Sequence, residues 1–126
     1  MLDKLQKRAA QILADTHVCT VATTGPAGIQ ASMAPCVAQG TALYLLIPNT
    51  SDHLVNLEVA PEIAVTTQDW HLYGLATLVS NHSELFAAEK SQWHTVVLVA
   101  PVRLHILADA ATGAHAETID FDQGLN

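Results

Sequence analysis

Positive charge is what this sequence has least of: five Lys plus Arg stand against twelve Asp plus Glu, a formal net charge of -7. A nucleic-acid partner needs clustered cations to neutralise phosphates, and an anionic membrane surface asks for the same, so the balance argues against both. Long hydrophobic runs are also missing. None approaches the roughly 20 residues that a helix needs to cross a bilayer. The N-terminal Met1-Leu2-Asp3-Lys4-Leu5-Gln6-Lys7-Arg8 turns amphipathic rather than into a signal-peptide core, which leads to the expectation of a soluble, cytoplasmic protein. Cysteine is scarce too. Cys19 and Cys36 show no CxxC spacing and fall on apolar strands, the pattern of two unpaired core thiols.

Sequence signatures of self-sufficient chemistry are absent as well. No Ser-His-Asp order, pair of catalytic carboxylates or phosphate-binding glycine loop can be picked out, so any chemistry would have to come from a cofactor. Seven histidines (His17, His53, His71, His82, His94, His105 and His115) show no HxH or HExxH grouping, and no metal site is expected from them. What is present is apolar: half of the 126 residues are hydrophobic and 13% are charged, which suits one folded domain over residues 1–126.

Leu2, Leu5, Ala9, Ile12 and Leu13 recur at helical spacing, predicting an N-terminal amphipathic helix over residues 3–14. His17 to Thr24 is rich in β-branched residues and ends at Gly25-Pro26-Ala27-Gly28, a turn that folds it against Ile29 to Val37. Gly40 precedes a third strand, Ala42 to Ile47. Ser51 then caps a short helix with apolar Leu54, Val55 and Leu57, and Pro61 ends it. Glu62 to Thr67 and Trp70 to Ser80 read as strands, and Gly74 within the second marks a bulge or a close approach by another backbone or a ligand. A second helix is predicted from Asn81 or Ser83 through Gln92. Thr95 to Leu107 follows as a strand in which Pro101 demands an edge, a bulge or a start; after a turn over Asp109 to His115, Glu117 to Phe121 adds a short one. The sum is a mainly β fold with short α-helices, a small six-stranded antiparallel barrel.

Three stretches carry a resemblance. Val18 to Thr24 with Gly28 and Ala31-Ser32-Met33-Ala34-Pro35 forms one, and Leu43-Tyr44-Leu45-Leu46 with Ser51-Asp52-His53-Leu54-Val55-Asn56-Leu57 and Pro61 another. Trp70 to Val79 with Pro101-Val102-Arg103-Leu104 is the third. In this order they resemble the FMN-binding split-barrel family of pyridoxamine 5'-phosphate oxidase-like proteins. The resemblance implies a split barrel, a homodimer with a small-molecule cofactor site at its interface, and a flavoprotein with oxidoreductase activity on an unnamed substrate.

It also implies the parts of the site. The flavin phosphate would lie near Thr50, Ser51, His53 and Asn56, its ring against Met33, Ala34, Pro35 and Cys36 and against Trp70 and Tyr73 of the partner, with Arg103 as the cation to test. Typical FMN-binding members carry Arg-Lys after the matched serine, whereas this chain has Asp52-His53. Aspartate repels a phosphate, leaving hydroxyls, a protonated His53 and helix N-terminal amides to hold it, and weaker FMN binding is expected. The Ser-x-His-x-x-Asn-Leu pattern of Ser51 to Leu57 is shared with haem-utilisation proteins of the fold, so haem or another planar ligand is the alternative, and a cofactor-free dimer a further one.

Overall fold

The structure is a computed structural model that describes residues 2–79, 86, 93–107, 113 and 115–121. The N-terminal helix α1 (Leu2–Ala14) is followed by β1 (Val18–Thr23), β2 (Gln30–Gln39) and β3 (Ala42–Pro48). Helix α2 (Asp52–Val59) leads to β4 (Glu62–Thr66), β5 (Trp70–Val79), β6 (His94–Ile106) and β7 (Glu117–Asp120). All pairings are antiparallel, in the order β3-β2-β1-β4-β5-β6-β7, and an added β3–β6 pairing closes the first six strands into a barrel. The predicted mainly β, six-stranded antiparallel barrel is therefore what the chain forms, with β7 as one extra strand. The helix expected over 81–92 and most of the turn over 109–115 lie outside the described residues.

Strand alternation fills the barrel. Val21, Leu43, Leu45, Ile47, Val65, Leu72, Val97 and Leu104 are buried together, and α1 adds Ala9 and Leu13. Strand β3 is buried on both faces because Tyr44 and Leu46, on the alternate side, pack with Val96, Leu98 and Phe86. Cys19 and Cys36 are free, buried thiols, whose Sγ atoms donate to the carbonyls of Ala34 and Thr16.

Two irregularities shape the barrel. Strands β2 and β3 pair only from Cys36↔Leu45 to Gln39↔Ala42, so residues 30–35 of β2 are held by β1 alone and the barrel is split there. On β5–β6 the register slips: Tyr73 faces Arg103, but Gly74 faces Pro101, leaving Val102 as the extra residue of a bulge. Proline has no N–H for the ladder, and the bulge accommodates it. Opposite, Gly74 is so close to β6 that a Cβ there would sit 2.6 Å from the Ala100 carbonyl oxygen and 2.8 Å from Val99 Cγ1. Replacing Gly74 by Ala should lower the stability by about 1–3 kcal/mol through this overpacking. A urea unfolding midpoint equal to that of the unmodified protein would show that the strands can part there.

Candidate functional site

The split is bridged by the first turns of α2. Ser51, extended at φ -73 and ψ 139, caps the helix by accepting from the His53 N–H at 3.1 Å. Ala60 and Pro61 end it, with the Ala60 N–H still reaching the Asn56 carbonyl at 2.9 Å. His53 and Asn56 are three residues apart, so they share one face of α2, and that face points inward: they are 2% and 0% exposed.

Asn56 is fully used. Its Oδ1 accepts from the Ala27 N–H at 2.8 Å, and its Nδ2 donates to the Gly28 carbonyl at 2.8 Å and to Thr23 Oγ1 at 3.1 Å. These bonds fasten the β1–β2 turn to the helix. Gly25 of that turn lies so close that a Cβ would come within 2.9 Å of Asn56 Oδ1 and 3.1 Å of its Cα. His53 joins the same cluster: Nδ1 is 2.8 Å from Thr23 Oγ1 and Nε2 is 2.9 Å from Ser32 Oγ. Burial lowers the pKa of this imidazole, against a smaller upward pull from the Asp52 carboxylate. The sequence expectation gave His53 to a bound phosphate as a cation. The structure instead shows a buried ring that favours neutrality, with both nitrogens engaged by hydroxyls.

The other expected site residues are dispersed by strand alternation. Met33 (73% exposed) and Pro35 face outward, whereas Ala34 and Cys36 point into the barrel, so their side chains cannot line an outer site. Trp70 is 2% exposed, and its Nε1 donates to Thr16 Oγ1 at 3.3 Å, making it a core plug rather than a wall offered to a partner. Tyr73 is on the outer face, 46% exposed and edge-on to His105 at 5.6 Å. Arg103 pairs with Asp120 at 2.5 Å on the half of β6 that meets β5 and β7, away from α2. Thr50 and Ser51 stay at the helix entrance.

Two features escaped the sequence reading. Thr23 and Ser32, which satisfy His53, could have been sought once a buried His-x-x-Asn face was suspected, since buried polar groups need partners. The other is an outward groove of about 670 Å³ between β1, β4, β5 and the bulge, lined by Ala22, Ile29, Ala64, Tyr73, Leu75 and Val102 among others. Its signal was small and apolar residues at outward strand positions, where water-facing side chains are usually polar. Glu62 is its one charged lining residue. Among the described residues, no three His, Cys, Asp or Glu side chains gather as a metal site would require.

Asn56→Ala should cost about 3 kcal/mol in urea unfolding, because it strands the Ala27 N–H and the Gly28 carbonyl. A loss below about 1 kcal/mol would mean that water replaces the amide. The folded protein takes up the His53 proton less readily than the unfolded chain. The contribution of His53 to stability is therefore complete above the ordinary histidine value of about 6.5 and falls as pH drops below it. His53→Gln should flatten that part of the stability profile, and an unchanged acid slope would remove His53 as its cause.

No protein-family model and no curated protein matches the sequence. Solved structures do match the fold. A protein related to general stress protein 26, of the pyridoxinephosphate oxidase family, from Clostridium acetobutylicum shares 14% identity over 96% of this chain and 97% of its own, with a TM-score of 0.69. The haem-binding protein of Mycobacterium smegmatis shares 19% over 91% of this chain, at a TM-score of 0.71, and this chain spans 57% of its length. The haem storage protein of Vibrio cholerae shares 18% over 83% of this chain and 94% of its own, at 0.59. The chain thus has the split-barrel fold of the pyridoxamine 5'-phosphate oxidase-like and general stress protein 26 proteins.

Proposed function

We propose that the chain is a homodimeric binding module for a planar, largely apolar small molecule with a ring system of the flavin or haem kind. The observation that carries this reading is the outward groove of about 670 Å³ with its apolar lining. That volume lies within the roughly 300–1,000 Å³ of small-molecule sites. Tyr73 supplies an aromatic wall, and Ala22 and Ala64 leave the sheet low enough for a flat ring to approach the backbone.

A second copy completes the argument. Ile29, Tyr73, Leu75 and Val102 expose 86%, 46%, 39% and 36% of their surface on this face, an apolar area that a two-fold partner would cover together with the ligand. The haem-binding and haem storage proteins of the same fold support a planar guest.

The phosphate of FMN does not fit what the helix entrance offers. Asp52 is negative, His53 is buried and favours neutrality, and Arg103 is paired elsewhere. No redox step is therefore assigned to this chain, and the ring alone is read as the determinant of binding.

Titration with riboflavin, FMN and haemin separates the sources. Riboflavin and FMN should bind within about threefold of each other at low salt, where a charge contact would count most. A tenfold or greater preference for FMN would place a cation at the phosphate and sink the ring-only reading. Haemin binding without flavin binding would select the haem class. Failure of all three would leave a barrel without a cofactor. Leu75→Asp should convert the dimer to monomer in sedimentation, whereas a monomeric unmodified protein would remove the two-fold seam.

A further inference from the structure

One carboxylate gives the outward groove a sign. Strand alternation decides which side chains look into it. Ile63 is buried in the barrel, so Glu62 and Ala64 on either side of it face the groove, as do their β5 partners Leu75 and Tyr73. The β1–β4 ladder ends at Ala22↔Ala64, whereas the β4–β5 ladder runs on to Glu62↔Leu75. Glu62 and Thr24 therefore line the groove past the last β1–β4 pair, where the two strands no longer hold each other. The backbone of Glu62 is nonetheless fixed. Leu75 lies across from it, and the Pro61 carbonyl before it accepts the Ala76 N–H at 2.8 Å.

Polar groups in the groove are few, and they differ in what they demand of a guest. The Thr23 hydroxyl is spent on His53 and Asn56. Those of Thr24 and Tyr73 can give or accept, so they select weakly. An ionised carboxylate accepts and cannot give. Among the described residues the ion pairs are Arg8 with Glu117 and Arg103 with Asp120, and the Glu62 carboxylate takes part in no hydrogen bond or ion pair with them. Covering the groove with a planar guest and a second copy would leave that charge short of water, and a guest that brings an N–H removes the cost.

We propose that Glu62 is the specificity-determining residue of the groove: its carboxylate accepts from an N–H on the edge of a nitrogen heteroaromatic ring, and so selects rings of the flavin class over haem. The imide edge of a flavin ring presents such an N–H between carbonyls. Haem has no N–H at its rim and carries propionate carboxylates, which a carboxylate in the groove repels. A charge-assisted bond is directional as well as strong, so Glu62 also fixes which edge of the ring lies beside Thr24.

This assignment rests on the binding function proposed above, and the test separates the two. Riboflavin and N3-methylriboflavin differ only at that ring N–H. In fluorescence titrations of the unmodified protein, riboflavin should bind about tenfold tighter, the worth of one charge-assisted hydrogen bond. Glu62→Ala should weaken riboflavin by about the same factor and bring the two flavins within about twofold of each other. Glu62→Gln, which removes the charge and keeps the shape, should raise haemin affinity relative to riboflavin by about threefold or more. Equal affinity of the two flavins for the unmodified protein would end the role of Glu62. So would a preference for riboflavin that persists in Glu62→Ala, since it would come from the bulk of the methyl group. Haemin bound without riboflavin would also end it, while the binding function stood. Absence of binding by riboflavin, FMN and haemin alike would overturn the binding function and the assignment with it.

Discussion

One buried face of α2, carrying Asn56 and His53, holds the open side of this barrel together. With no β3 partner along residues 30–35, β2 could peel from the sheet, and the turn that leads into it would be free. Asn56 fastens the turn by taking one donor and one acceptor of its backbone and a hydroxyl of β1, and His53 beside it bonds Ser32 of β2 itself, both from buried positions on α2. The helix itself is only two turns long and would not persist alone. Its serine cap, its proline stop and the face that carries His53, Asn56 and Leu57 make it a bracket, and the fit of Gly25 against Asn56 sets how closely the bracket closes.

Electrostatics follow from that bracket. A helix entrance is a natural place for an anion because its amides point outward. Here Ser51 spends its hydroxyl on the His53 amide, and Asp52 supplies the negative charge that the helix end favours. The histidine that sequence alone would place at that entrance is turned into the protein, where burial disfavours its charged form. The same residues that stabilise the fold thus occupy the cap and add a negative charge at the helix entrance.

Much of the architecture was legible in the sequence because it rests on local signals. Hairpin turns at Gly25–Gly28 and Gly40, the Ser51 cap and the Pro61 stop fall where the structure has them, and Gly74 does mark a close backbone approach at a bulge beside Pro101. The site was less legible. Which of Met33 to Cys36 faces out depends on register, and whether Trp70 walls a ligand or anchors the core depends on tertiary packing, which buries it with its Nε1 on Thr16. His53 was visible as a residue but its partners were not, since Thr23 and Ser32 lie on two strands that only the fold brings beside α2.

The two hairpin turns differ in what they would tolerate over evolutionary time. Around Gly40, between β2 and β3, nothing lies within 4 Å of where a side chain would start, so extra residues there could loop outward without disturbing a neighbour. The turn between β1 and β2 is pinned at Gly25, Ala27 and Gly28 by one side chain, and an inserted residue would shift all three at once. Length variation among proteins built like this one belongs at the first of these turns and is barred from the second.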